Sequence, residues 1–138
     1  MYMKILYSDD CVQVVLHDNG YRTALEVNWL NRCTGEELQR ATVQAIMLAR
    51  RHQVNAWIAN DQGLGKLSLV DMHWAEQMLE NMHRDLGLDR FALLMSDLPH
   101  NREKFSPYIQ KYTKPHSPLE LNLFEDIGTA RAWALDPQ

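Results

Sequence analysis

From Thr34 onward, stretches of helical periodicity alternate with apolar runs of only five or six residues: Val54 to Ala59, Phe91 to Met95 and Leu119 to Phe124. Runs this short and this apolar are too brief for helices and read as strands buried on both faces. Strands separated by helices pair side by side most economically in parallel, through right-handed crossovers. The alternation therefore confines this part of the chain to an α/β sheet.

The first thirty residues have a different rhythm. Lys4 to Ser8 and Val12 to His17 are apolar-rich runs separated by Asp9 and Asp10, and Asp18-Asn19-Gly20 supplies hairpin-turn chemistry. Tyr21 to Trp29 continues the pattern with Leu25, Val27 and Trp29 on one face and Glu26 and Asn28 on the other, the period of a half-buried strand. The expected fold is α/β: an N-terminal β-meander followed by βαβ units, with a mixed sheet packed against about four helices.

Helix boundaries are marked by capping chemistry. Thr34-Gly35-Glu36-Glu37 is a capping box opening a helix to about His52, with Leu38, Ala41, Ala45, Leu48 and Ala49 as its main stripe. Val43 and Met47 lie off that stripe, on either a second internal packing surface or an exposed oligomer contact. Ser68-Leu69-Val70-Asp71 is a second box, opening a helix to about Leu86 that stops at Gly87. Its inward stripe is expected to be Val70, Trp74, Met78, Met82 and Leu86. Asp97 to Asn101 reads as a break, and Ser106-Pro107 as the cap and first residue of a short helix through Tyr112. Lys114-Pro115-His116-Ser117-Pro118 ends it. Asp126 caps a last helix that turns Ala130 and Trp133 inward, and Trp57, Phe91 and Trp133 are expected to share one core.

Composition narrows the function. With 138 residues, 46% hydrophobic and 23% charged, the chain is expected to form one domain over residues 1–138 with a core of its own. Its net charge of −4 and the lack of any basic run argue against nucleic acid as a partner. No stretch approaches a membrane span and the N-terminus lacks a secretory pattern, so the expected location is cytoplasmic. Two cysteines, Cys11 and Cys33, are expected there as free thiols, although a bridge between them is geometrically allowed.

The layout and several of its residues resemble the SpoIIAA-like superfamily, which includes STAS domains and the lipid-transfer CRAL-TRIO domains, and in particular a group of small uncharacterised bacterial STAS-like proteins. The residues that carry the resemblance are Thr34 with Glu37 and Leu38, Trp57 to Asp61 with Leu67, Ser68, Asp71 and Trp74, Arg90-Phe91-Ala92, and Phe124 with Ala130 and Trp133. They are core and capping residues, and fold does not imply function. In partner-switching STAS proteins a strand-to-helix turn carries a hydroxyl whose phosphorylation controls binding to an anti-sigma kinase. Asn60-Asp61-Gln62-Gly63-Leu64-Gly65 lies on that turn, keeps the glycines and lacks the hydroxyl. The resemblance therefore brings no phosphoswitch to Asp61 or Gln62, and Asp61 is expected to supply a permanent carboxylate instead.

Asp61, Gln62, Gly63, Gly65, Lys66 and Ser68 form the candidate binding loop and helix start, because free amides beside a helix N-terminus can hold an anion. The alternative is a plain connecting turn. Gly63-Leu64-Gly65-Lys66 matches neither a P-loop nor a dinucleotide fingerprint, and no cofactor is expected. His73, Glu76, Glu80 and His83 share one face of the second long helix, but no converging ligand set accompanies them, so that row reads as solvated and no metal is expected. His100, His116 and Ser106 lack a nucleophile motif and read as surface residues. Met72, Met78 and Met82 serve either as core filling or as the lining of an adaptable pocket. The leading expectation is a non-enzymatic STAS-like module that binds another bacterial protein, with self-association a further option. The alternative is a carrier of a small apolar or anionic lipid-like ligand.

Overall fold

The computed structural model describes residues 2–114 and 117–138. Three strands, β1 (Tyr2–Ser8), β2 (Val12–Asp18) and β3 (Thr23–Trp29), form an antiparallel meander. They are followed by α1 (Gly35–His52), β4 (Ala56–Asn60), α2 (Leu69–Leu86), β5 (Arg90–Leu94), α3 (Pro99–Tyr112), β6 (Glu120–Phe124) and α4 (Ile127–Leu135). The strands join one six-stranded sheet in the order β1-β2-β3-β4-β5-β6, with β3 to β6 parallel. This is the mixed α/β sheet that the alternating pattern demands.

Sequential strand order has a consequence for the layers. Crossovers that all step in the same direction with the same hand lie on the same face, and α1, α2 and α3 indeed pack with Leu25, Val27, Trp57, Ala59, Phe91 and Leu93 into one cluster. Only α4 returns to the other face, where Ala130, Ala134 and Leu135 meet Ala24, Ala56, Ile58, Ala92 and Leu94. Trp133 sits in this second layer, half-buried, with its ring 5.4 Å from that of Phe124. It therefore shares no core with Trp57 and Phe91: neighbouring strand positions alternate faces, and the sheet stands between them.

Two further expectations are corrected. The third helix starts at Pro99, not at Ser106, and Pro107 lies inside it. Pro107 is on the exposed side, where water can serve the carbonyl that its missing N–H leaves unpaired. Glu26 does not face solvent; α4 covers it and it is fully buried. Among the described residues no helix is long and apolar enough to cross a membrane.

The capping boxes form in part. Ser68 Oγ accepts from the Asp71 amide at 3.1 Å, as the second box requires. Thr34 is the N-cap of α1 but its hydroxyl makes no capping bond. The Gly35 amide instead donates to the buried Asp71 carboxylate, 3.2 Å from both oxygens, so α2 caps α1. On α2, Val70 is 78% exposed and falls outside the stripe assigned to it. Val43 and Met47 are exposed on α1, which removes the internal-packing reading of that flank.

Candidate functional site

The loop between β4 and α2 lies at the carboxyl ends of the parallel strands, the end at which α/β sheets bind ligands. Its order comes from inside. Leu64 and Leu67 are buried and join Leu38 of α1 and Met72 of α2 in a small cluster. The start of α3 holds the loop from the other side. Asn101, 1% exposed, accepts from the Leu67 amide at 3.1 Å and donates to the Gly65 carbonyl at 2.9 Å and to Ser96 Oγ at 3.2 Å. His100 Nε2 donates to the Leu67 carbonyl at 3.0 Å. His100 is therefore a structural clamp, not a free surface residue; His116 lies outside the described residues.

The loop glycines are explained by close approach. A Cβ on Gly63 would lie 2.3 Å from the Trp29 carbonyl oxygen, and one on Gly65 would lie 2.5 Å from the Arg32 side chain. Only glycine lets the loop run this tightly over the end of β3. Gln62 is exposed, its amide donating to Asn60 Oδ1 and its side chain to the Glu125 carbonyl. Lys66 is exposed, and Ser68 is occupied as the cap of α2.

Asp61 differs from its expected role. It lines an apolar cavity of about 80 Å³ between the sheet and α1, α2 and α3, together with Trp57, Phe91, Leu79, Phe105 and Tyr108. Its carboxylate accepts no hydrogen bond among the described residues, and burial alone pushes its pKa up to about 7. The residue itself is half-buried, at the rim of the loop. Tyr108 lines the same cavity, and its hydroxyl is buried with no hydrogen-bond partner among the described residues. Burial first, and then the neighbouring Tyr112, Glu80 and Glu76, push its ionisation upward. The methionines of α2 take no part here: Met72 and Met82 are buried in the core, and α2 lines the cavity with Ala75 and Leu79, while the one methionine of the lining is Met95.

Beneath α4 lies a polar network that sequence reasoning missed. Arg131 donates to both Glu26 oxygens, at 2.6 and 2.9 Å; His17 Nε2 lies 2.9 Å from Oε1, and Asn28 Nδ2 donates to Oε2 at 2.8 Å. Burial works against ionisation of Glu26, but the bonds from Arg131, His17 and Asn28 outweigh it and hold the pKa at about 2. Asn60 donates to Asn28 Oδ1 at 2.9 Å, which joins this network to the candidate loop. A glutamate on an alternating strand, 105 positions from its arginine, carries no sequence signal of burial.

The row on α2 is not simply solvated. Glu80 accepts from Lys111 of α3 at 2.5 Å, and His83 Nε2 lies 3.3 Å from the Tyr112 hydroxyl. Among the described residues, the one close set of metal-type side chains is Cys11, Cys33 and Glu37. The cysteines are not free thiols; they form a disulfide with Cα atoms 5.8 Å apart, well within the range for a bridge. Folding brings together the start of β2 and the loop before α1, a proximity that a separation of 22 residues does not reveal.

The six-stranded mixed sheet and its sequential order form a SpoIIAA-like α/β fold. Among the solved structures similar to this chain are two with nearly full coverage. One is an uncharacterized protein of the DUF3478 family from Shewanella loihica PV-4, at 13% identity and a TM-score of 0.62, the match covering 95% of this chain and 99% of that one. The other is an anti-sigma factor antagonist from Mycobacterium paratuberculosis, at 16% identity and a TM-score of 0.56, covering 95% of this chain and 100% of that one. No protein-family model and no curated protein matches the chain.

Proposed function

We propose that the chain is a single STAS-like domain that works without catalysis, by docking another bacterial protein against the carboxyl end of its sheet. The observation that carries this reading is a set of exposed apolar side chains at that end. Leu30 follows β3, Leu69 and Val70 open α2, and Leu98 precedes α3; Leu69 is 61% and Val70 78% exposed. Exposed apolar groups gathered at one end of a fold are the usual mark of an interaction surface. The similar fold of an anti-sigma factor antagonist supports a regulatory protein as the partner class.

In this reading Asp61, Gln62, Gly63, Gly65, Lys66 and Ser68 form the ridge that the partner contacts. Docking is not switched by phosphate at the turn, because the turn from Asn60 to Gly65 carries no hydroxyl; the only one between Asn60 and Val70 is that of Ser68, at the start of α2. A cytoplasmic setting belongs to the same proposal, and burial of Cys33 at 1% exposure shields the bridge from soluble reductants. Val43 and Met47 supply a separate contact for a second copy of the chain.

The test is a photo-crosslinking residue placed at Val70 and, as a control, at Glu120 on the opposite end of the sheet. The expected result is a discrete partner captured in host cells from Val70 alone. Equal capture from both positions, or none from Val70, would remove the basis of the proposal.

A further inference from the structure

We propose that the cavity beneath the β4–α2 loop is a binding site for a slender, uncharged, mainly aliphatic molecule whose single hydroxyl or carbonyl oxygen meets the Tyr108 hydroxyl. This inference deepens the ligand-carrier reading and shares only Asp61 with the docking ridge.

Three observations converge on it. The first is shape. The lining runs along β4 from Trp57 to Asp61, about 13 Å at roughly 3.3 Å per strand residue. A volume of about 80 Å³ spread along such a span is narrow. Benzene fills a cavity of about 150 Å³, so this one takes an unbranched chain of about four heavy atoms and not a ring. Native interiors leave few voids larger than a water molecule.

The second observation is the unpaired phenol. Tyr108 is 7% exposed, lines the cavity, and has the one buried side-chain oxygen without a partner among the described residues. Native proteins rarely leave such a group unsatisfied. Water is a poor occupant, because it needs two to four polar partners and the side chains of Trp57, Phe91, Leu79 and Phe105 offer one between them, the Trp57 indole N–H. Of the other polar groups in the lining, Asn101 is engaged with Ser96, Gly65 and Leu67, Thr42 donates to the Leu38 carbonyl, and Arg102 is exposed.

The third is charge. Asp61 at the mouth lacks a hydrogen-bond donor and is desolvated, so that its carboxyl ionises only near neutral pH. An anionic head passing it would meet a like charge in an apolar setting, and Arg102, the one cation of the lining, is exposed and keeps its charge in water. This favours the apolar over the anionic form of the carrier reading.

The experiment titrates the full-length protein with 1-butanol, tert-butanol and butyrate at pH 8, following the emission of the tryptophans, of which Trp29 and Trp57 line the cavity. These probes differ in width and in charge at nearly constant size. The expected result is saturable binding of 1-butanol, with the other two at least tenfold weaker. Tyr108→Phe should raise the melting temperature of the empty protein, since it removes an unsatisfied group, and should weaken 1-butanol about fivefold, a typical loss for one hydrogen bond. Ala75→Leu, which fills the void from α2, should abolish binding while leaving the phenol in place.

Equal binding of tert-butanol refutes the width argument, and equal binding of butyrate refutes charge exclusion. An unchanged 1-butanol affinity in Tyr108→Phe refutes the phenol contact. Native mass spectrometry of freshly purified protein separates the two levels of the claim. A retained small mass with no response to 1-butanol would keep the carrier reading and overturn the ligand class; no retained mass and no response would overturn both.

Discussion

Replacing Asp61 with asparagine should stabilise the protein, but only above about pH 4. The carboxyl faces an apolar cavity without a donor, and burial raises its pKa from 3.8 to about 7. Below pH 3.8 both folded and unfolded chains hold the proton, and the residue contributes no pH-dependent penalty. As pH rises toward 7 the unfolded chain releases its proton first, so folding loses stability; above 7 both are ionised and the loss is constant. A shift of roughly three units corresponds to about 4 kcal/mol as an upper bound, and partial exposure of the residue reduces this to about 2 kcal/mol. Asparagine imitates the protonated carboxyl and never ionises. Urea unfolding of both proteins from pH 4 to 8.5 should give midpoints that coincide at the acid end and separate by about 1 M at the alkaline end, for a slope of about 2 kcal/mol per molar. A midpoint difference that stays constant across this range, or is absent at pH 8, would show that the carboxylate is solvated or paired and would refute the desolvated-mouth argument.

Three other substitutions probe the frame around the site. Glu26→Gln should cost about 3 kcal/mol at neutral pH, since the folded pKa near 2 against an ordinary 4.5 represents that much stabilisation; the difference from the native protein is complete above pH 4.5 and should shrink as pH falls toward 2, measured by thermal melts. Gly63→Ala places a methyl 2.3 Å from the Trp29 carbonyl and should lose about 2 kcal/mol by urea denaturation. Ser68→Ala removes the oxygen that accepts from the Asp71 amide and should lose about 1 kcal/mol, a loss indistinguishable from zero being the refuting outcome.

What could be read from the sequence was whatever depends on near neighbours. Alternation in Tyr21 to Trp29 located β3, the Ser68 box located α2, and Gly87, at a φ of 65°, ends that helix in the left-handed geometry that glycine allows. The third helix was misplaced because Pro107 imitates a helix start, whereas Pro99 is the one that begins it. Features made by distant partners were hidden. Glu26 looks like a solvent-facing residue until α4 lays Arg131 over it, and Cys11 and Cys33 look like separate thiols until the sheet joins them. The loop from Asp61 to Ser68 was visible as a position, but its cavity was not. Tyr108 reaches that cavity from α3, in a segment where only the fold decides which side chains point inward.

Sequential strand order also sets a timetable for assembly. Each strand pairs with the one made just before it, so a growing chain can extend the sheet one edge at a time without waiting for a distant segment. The single late step is α4, which alone closes the second face over Glu26 and His17. Until it docks, both groups stay hydrated and the burial of charge is deferred to the moment when Arg131 arrives with it. In the finished protein the same helix should be the first to leave. Native-state hydrogen exchange is expected to show the amides of Ile127–Leu135 opening in a smaller cooperative unit than those of β3 to β5, and equal protection in both would mean that the two faces close together.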